Sequence, residues 1–396
     1  MESVVWFVPD ILKGSGGHRT ILAHAKFMEC KGYKVTIHLE WDSERRGNES
    51  LSAMIERLYN YKFENVSKGW HSNPVADIYF ATIWYSADIV SKIKGNSKKF
   101  YFVQDHEACF NPMGDAYILA EDSYRKGLNH ITIGKWLTHK INSEFSGKST
   151  YFDFGADLNK YNNLSSFNRD EQTVCFVHQP EKPRRCSDIG LKALAIVKRN
   201  RPSVKVKIYG SSSKSHIHFD HENLGLLSIQ ECSELYQKST VGLCISASNP
   251  SRVPFEMMAC GLPVVDIFRE NNLYDYNNDI ILLSEPSPLA LASAIINLLD
   301  NEALRKSMSD KSIYFMSLKD ESVENEQFLE RVKSFSSSRV NATYTSKAYR
   351  CSNAIEDYLH IESESEASPP IKYRKLKRIL PRPIFRALRS IYYKVS

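Results

Sequence analysis

The sequence has no CxxC pair and no dense cysteine framework; its eight cysteines stand singly at positions 30, 109, 175, 186, 232, 244, 260 and 351. That pattern excludes a disulfide-stapled secreted scaffold. Cys109, Cys175, Cys244 and Cys260 fall in apolar or strand-like runs, as small core residues of a reduced, cytoplasmic protein do. No run of about 18 apolar residues occurs, so no membrane span is expected. No His, Cys and Asp cluster has metal-ligand spacing, and no bound metal is expected. A GxGxxG loop with a distal acid is missing, which disfavours a nicotinamide dehydrogenase, and no loop ends in GK[ST]. The opening "MESVVWFVPD" reads as a strand rather than a leader, with an early Glu2 and no long apolar stretch. Acid is absent from one region. Of 52 Lys and Arg, nine fall in residues 369–396, which hold no Asp or Glu; the other 43 face all 46 acids.

What is present is a chain of 396 residues, 42% hydrophobic and 25% charged, the composition of a soluble globular protein with two domains. Apolar strand signals ("VVWFVPD", "YKVTIHLE", "ADIYFATIW", "KKFYFVQD", "HITIG", "STYFDFG") alternate with helix signals such as "HRTILAHAKFMECKG". A polar stretch, 156–172, reads as a linker. A second alternating set follows, from "TVCFVHQP" through "VGLCIS" and "PVVDIF" to helices ending near 333. The expected architecture is α/β, with two Rossmann-like doubly wound domains facing across a cleft, at 1–160 and 173–333. Residues 334–368 read as a polar linker with little core potential, and 369–396 as a basic amphipathic tail. Between two such sheets, helix N-termini aim free N–H groups at an anionic, elongated ligand.

Four sets of residues suggest chemistry. In "KGSGGHRT", Gly14, Gly16 and Gly17 follow the first strand and open a helix, so the backbone can approach a phosphate; a plain tight turn fits as well. In "VHQPEKPRRCSDIG", Lys182, Arg184 and Arg185 occupy the matching loop of the second domain, where Arg forks suit phosphate; a solvated basic loop is the plainer alternative. In "SRVPFEMMACGLPVVD", Glu256 stands among Phe255, Met257 and Met258 in what reads as the first turn of a helix behind Pro254. A carboxylate there accepts both hydroxyls of a ribose diol, while the amides near Arg252 and Val253 face a diphosphate; a Glu that complements the helix dipole is the alternative. Finally, Gln104, Asp105, His106 and Glu107 cluster at the end of a buried strand, where substrate contacts are expected.

Taken together, "GGHRTI", "YFVQDHE", "NPMGDAYILAEDSY", "FGADL", "IGLKAL", "IYG" and "VPFEMMACGLPVV" resemble the family 4 retaining glycosyltransferases, and most of all the bacterial rhamnosyltransferases that extend rhamnose-rich surface glycans. The resemblance spans about residues 3–333. It implies the two-Rossmann GT-B fold and no metal or other cofactor. The implied donor is a nucleotide sugar, dTDP-rhamnose or a related compound. The implied acceptor is a growing polysaccharide such as an O-antigen, free or lipid-linked. It implies that Glu256 holds the donor ribose, that Gly16, Gly17, Arg184 and Arg185 surround the diphosphate, and that Gly210, Arg252 and Val253 lie on the donor side. Asp105 would contact the acceptor or the reacting sugar. Two departures stand out: the earlier of the family's paired glutamates is Ser248, and the usual Arg after the first strand of the second domain is Gln179. These departures leave open a second reading, a silent GT-B scaffold that binds a partner glycosyltransferase or the membrane. The expected location is cytoplasmic, with the 369–396 tail at the inner face of the cell membrane against anionic lipid or a partner enzyme; no nucleic acid is expected.

Overall fold

The computed structural model describes residues 1–72, 74–163, 172–212 and 217–351. The first half folds as strands β1 (Ser3–Val8), β2 (Lys34–Leu39), β3 (Asn65–Lys68), β4 (Ile78–Ala81), β5 (Lys98–Val103), β6 (Asn129–Ile133) and β7 (Lys148–Phe152). Helices α1 (Gly16–Cys30), α2 (Leu51–Tyr59), α3 (Trp84–Lys92), α4 (Asp115–Ser123) and α5 (Lys135–Glu144) lie between them. The second half contributes β8 (Thr173–Val177), β9 (Lys205–Tyr209), β10 (Glu222–Asn223), β11 (Val241–Leu243), β12 (Val264–Ile267) and β13 (Leu282–Ser284). Its helices are α6 (Ser187–Asn200), α7 (Ile229–Lys238), α8 (Arg252–Ala259), α9 (Pro288–Asp300), α10 (Glu302–Ser317) and α11 (Glu321–Lys333).

The strands form two sheets, ordered β3-β2-β1-β4-β5-β6-β7 and β10-β9-β8-β11-β12-β13. Every pairing is parallel. Parallel strands covered by helices on both faces must be apolar along their length, which is why β1 and β8 read as unbroken hydrophobic runs. Both sheets are doubly wound as expected, and each reverses its strand order once, between β1 and β4 and between β8 and β11. The loops after β1, β8 and β11 therefore leave the crevices where such sheets bind ligands.

Helix α11 follows the second set in sequence but closes the first sheet. Phe328 is fully buried with its ring 5.5–5.9 Å from those of Trp6, Phe80, Phe102 and Phe152. The two sheets thus share an element, and the second domain does not end as a separate unit at 333. The stretches read as linkers are also held in place where they are described. In 156–163, Tyr161 is buried and lies 6.0 Å from the Tyr236 ring. In 334–351, Ser338 N–H donates to Ser149, Thr343 N–H to Leu273 and Tyr349 N–H to Leu283. Tyr344 is buried as well. Backbone hydrogen bonds, with a few scattered apolar anchors such as Phe335, Val340 and Tyr344, fix this strap, so a hydrophobicity reading passes over it. The remaining linker positions, 164–171 and 352–368, and the whole 369–396 tail lie outside the described residues. Among the described residues, no helix is long and apolar enough to cross a membrane.

Candidate active site

Asp105 leaves the end of β5 and is 9% exposed; its Oδ1 accepts the His106 N–H at 2.9 Å. From the other sheet, Arg184 brings Nε to 3.3 Å from Asp105 Oδ2. Burial raises the Asp105 pKa, while Arg184, Arg185 and a hydrogen bond from Ser248 pull it back. Burial likewise lowers the Arg184 pKa, against the pull of Asp105. The Arg184 guanidinium also lies 4.2 Å from the Phe110 ring centroid, a cation–π contact that restricts the side chain. The fold thus brings together three residues singled out in the sequence, Asp105, Arg184 and Arg185, with Ser248 as a fourth member. Ser248 hydrogen-bonds to Asp105, and a second carboxylate at position 248 would meet a like charge in a buried setting.

Glu256 belongs to a different cluster. The helix begins at Arg252, two residues earlier than Pro254 suggested, because extended Ser251 (φ −90°, ψ 167°) opens it. Pro254 is accommodated because its missing N–H is one of those left unpaired in any first turn. Glu256 therefore sits in the second turn, where a dipole explanation weakens. The residue is half-buried. Burial raises its pKa, opposed by Arg19 of α1, by Arg252 and by a hydrogen bond from Tyr161.

The remaining expected residues are placed as follows. Gly16 and Gly17 open α1, and both are exposed; a Cβ on Gly17 would come within 3.7 Å of the Gln104 amide. Gly210 adopts φ +104°, reserved in practice for glycine, and its carbonyl accepts from Gln179 Nε2 at 3.2 Å. The Gln179 main-chain N–H in turn donates to Ser187 Oγ at 3.0 Å. The Val253 side chain packs on the core. Arg252 turns its guanidinium onto Glu324, with Nη1 2.7 Å from Oε2 and Nη2 against Oε1. What Arg252 and Val253 can offer a ligand is the backbone N–H of a first helical turn. His106 and Glu107 face inward. Burial drives His106 down to about 4 and Glu107 up to about 8, and Glu107 accepts the Trp84 N–H at 2.6 Å, capping α3.

Several supporting residues carried no clear sequence signal. Asp266, at the end of β12, accepts the N–H groups of Ser246 at 2.9 Å and Ile267 at 2.7 Å, and burial pushes its carboxyl up to about 7. Asn271 Nδ2 donates to the Ser246 carbonyl at 2.8 Å. The loop after β11 is thus held at its base. Asp275 reaches across to the first domain, where its carboxylate accepts the Lys135 N–H at 2.8 Å at the start of α5. That approach requires Gly134 (φ +81°), where a Cβ would come within 2.9 Å of Asp275 Oδ2 and 2.4 Å of Phe154. Among the described residues, no three His, Cys, Asp or Glu side chains stand together as metal ligands. A surface crevice of about 910 Å³ lined by Asp153, Asp279, Tyr314 and Thr343 includes none of the site residues.

Two doubly wound parallel sheets, with ligand-side loops from both meeting around Asp105 and the arginines and a terminal helix returned to the first sheet, define the GT-B fold. The comparisons agree. Residues 172–296 match the family described as WsaF, C-terminal domain. The chain is 30% identical over 316 residues to the O-antigen biosynthesis protein RfbC of Myxococcus xanthus, an alignment covering 77% of this chain and 25% of that protein. It thus spans about a quarter of that relative's length. Among solved structures, HepE of Anabaena in complex with UDP and glucose superposes with a TM-score of 0.66 at 14% identity, covering 84% of this chain and 100% of that one. Sucrose-phosphate synthase of Thermosynechococcus elongatus gives 0.64 at 12% identity, over 84% and 98%. TarM of S. aureus, in a complex that includes UDP, gives 0.65 at 10% identity, over 84% and 99%.

Proposed function

We propose that this chain is a glycosyltransferase that moves a sugar, rhamnose by the sequence resemblance, from a nucleotide-activated donor to a growing surface polysaccharide with retention at the anomeric carbon. The observation that carries the reading is the meeting of Arg184 and Arg185 from one sheet with Asp105 from the other. The printed titles of the HepE structures, with UDP and with UDP-glucose, and the O-antigen name of the relative support the substrate class.

The chemistry follows from where charge develops. The bond between the sugar's anomeric carbon and the diphosphate oxygen breaks, a bond forms to an acceptor hydroxyl, and the hydroxyl proton passes to the departing phosphate. The leaving nucleoside diphosphate gains negative charge, and in this reading Arg184, Arg185 and the first-turn amides of α8 stabilise it. Asp105 orients the reacting sugar or acceptor, and closing the two domains excludes water. Glu256 accepts the ribose diol. Glu256→Gln is expected to weaken nucleotide-sugar binding by about 1.5–3 kcal/mol, the range for a hydrogen bond to a charged group, without loss of fold. Titration calorimetry checks this, and unchanged affinity removes the ribose assignment.

Ser248 and Gln179, whose Nε2 donates to the Gly210 carbonyl, favour a silent scaffold as a second reading. Release of nucleoside diphosphate from an activated sugar in the presence of a glycan acceptor decides between the two, because a scaffold releases none. The tail belongs to the same proposal. In 369–396, Ile384, Phe385, Leu388 and Ile391 recur at helical spacing beside Arg382, Arg386 and Arg389, a pattern suited to anionic headgroups at the inner membrane face or to a partner enzyme. Truncation after Ser368 is expected to leave transfer to a soluble acceptor intact and to abolish salt-sensitive binding to anionic vesicles. Full-length protein that ignores such vesicles at low salt removes the membrane role.

A further inference from the structure

Of the five tryptophans, Trp6 and Trp136 are buried in the first domain, and the other three stand along one edge of its sheet. Because the pairings are parallel, the loops that leave the carboxyl ends of the strands lie side by side. Trp41 follows β2 and Trp70 follows β3; Trp84 and Tyr85 open α3 behind β4, and Asp105 follows β5. Contacts join these rings to the candidate active site. Glu107, two residues beyond Asp105, accepts the Trp84 N–H, and the Trp84 ring stands edge-on to Tyr85 at 5.2 Å. The Tyr85 ring lies 5.7 Å from that of Trp70, and its hydroxyl donates to Glu40 Oε2 at 3.0 Å. Trp41 is the residue after Glu40. From β5 to β3 this edge crosses four strand spacings, about 19 Å.

Trp41 is 61% exposed, yet the loop that carries it is fixed. Asp42 accepts from Lys68 Nζ at 2.9 Å and from Arg45 Nη1 at 3.3 Å, and the Ser43 N–H donates to Asp10 at 3.1 Å. These polar contacts shape the loop and occupy its nearest cations, while the indole is left to solvent. The chemistry of the row narrows its ligand. A sugar ring turns a face of C–H groups to the negative face of an aromatic ring, and its hydroxyls donate to carboxylates. Asp10, Glu40 and Asp42 share the edge with the rings, each half-buried. The same acids disfavour an anionic headgroup or a phosphate. We infer that this edge of the first sheet is a binding site for a glycan chain several sugars long, running from Asp105 to a distal stacking platform at Trp41, an inference that rests on the glycosyltransferase reading above. The protein then reads its acceptor well behind the growing end and prefers a polymer to a single sugar.

Calorimetry on the full chain with rhamnose oligosaccharides of increasing length, without donor, tests the site. Wild-type affinity should rise with length and level off once the oligomer spans the edge. Trp41→Ala is expected to bind the shortest oligomers within about twofold of wild type and the longest about tenfold more weakly, the effect of one stacked ring. Trp41→Phe restores a ring and should recover most of the gain with length. Because Trp41 is exposed, both variants should keep the wild-type denaturant midpoint. A wild-type affinity that ignores length, a Trp41→Ala protein that keeps the full gain, or no binding of any oligomer overturns the inference. So does a Trp41→Ala protein that loses binding to neutral phosphatidylcholine vesicles with oligosaccharide affinity unchanged, since the edge then belongs to a lipid surface. Titration with UDP-glucose and dTDP-rhamnose separates this site from the function proposed above. Protein that binds a nucleotide sugar but no oligosaccharide keeps that function and loses the glycan site. Protein that shows the Trp41-dependent gain but binds no nucleotide sugar keeps the glycan site and loses the transferase.

Discussion

Replacing Arg184 and Arg185 together by alanine is expected to cut turnover roughly 10²–10³-fold, the range for removing a preorganised donor from a developing negative charge. The loss should fall mainly on kcat, because the charge these groups face grows between bound donor and transition state; the acceptor's KM should move much less. Arg184 is not free. It pairs with Asp105 and stacks on Phe110, so its fork is held in place by the protein rather than free in solvent. Arg184→Lys keeps the charge and loses the fork, and should give an intermediate rate. Initial rates of nucleoside diphosphate release measure all three proteins. Wild-type kinetics in the double variant would place the diphosphate elsewhere.

The double variant also leaves Asp105 buried without its counter-charges. Its pKa, already raised by burial, should climb further. The variant's residual activity should therefore shift its acid limb to higher pH, a signature that a merely weakened phosphate site would lack.

Much of this site was legible from the chain because its residues sit at fixed places in a repeated unit. The apolar runs that become β1, β8 and β11 are unmistakable, and the loops that follow them carry Gly16, Arg184 and Ser248. Edge strands were harder. β3 (Asn65–Lys68) and β10 (Glu222–Asn223) are short and polar because one side of each meets solvent, so neither has the run of hydrophobic residues that marks a buried strand. Helix α11 was visible as a helix, but nothing local says which sheet Phe328 will cover. The start of α8 was misjudged by two residues, since Pro254 marks a first turn and not its first residue. Nothing in the sequence marks Asn249, a polar residue in a loop. Only the fold shows that two strand ends from the other domain converge on its amide. Glu324 was equally silent, an acid in a helix rich in acids.

Glu324 carries the largest expected effect on stability. Its carboxylate is 2% exposed and receives the Gly155 N–H at 2.8 Å, the Arg252 guanidinium and, at 3.1 Å, His24 Nε2. Arg252 also donates to the Gly155 carbonyl and to Thr20 Oγ1, each at 3.1 Å. One acid on α11 thus ties α1 of the first domain to the opening residue of α8. Glu324→Ala strands a guanidinium in this junction and should cost about 3–5 kcal/mol of stability, the range for removing one partner of a buried pair. The pH dependence has a definite sign. Burial pushes the Glu324 carboxyl up, but Arg252 and His24 outweigh it and hold it at about 2, below its ordinary 4.5. The unfolded chain therefore takes up this proton first. The stabilisation is complete above pH 4.5 and drains away as pH falls toward about 2. Burial lowers the His24 pKa from 6.5, so that neutral imidazole also favours the fold at higher pH. Because Gln resembles protonated Glu, the gap in unfolding free energy between wild type and Glu324→Gln should be widest near neutrality and narrow steadily below pH 4.5. Denaturant midpoints taken across that range measure the gap. A gap that stays constant with pH would mean that Glu324 contributes shape rather than charge, and that the two domains are joined at this point by packing alone.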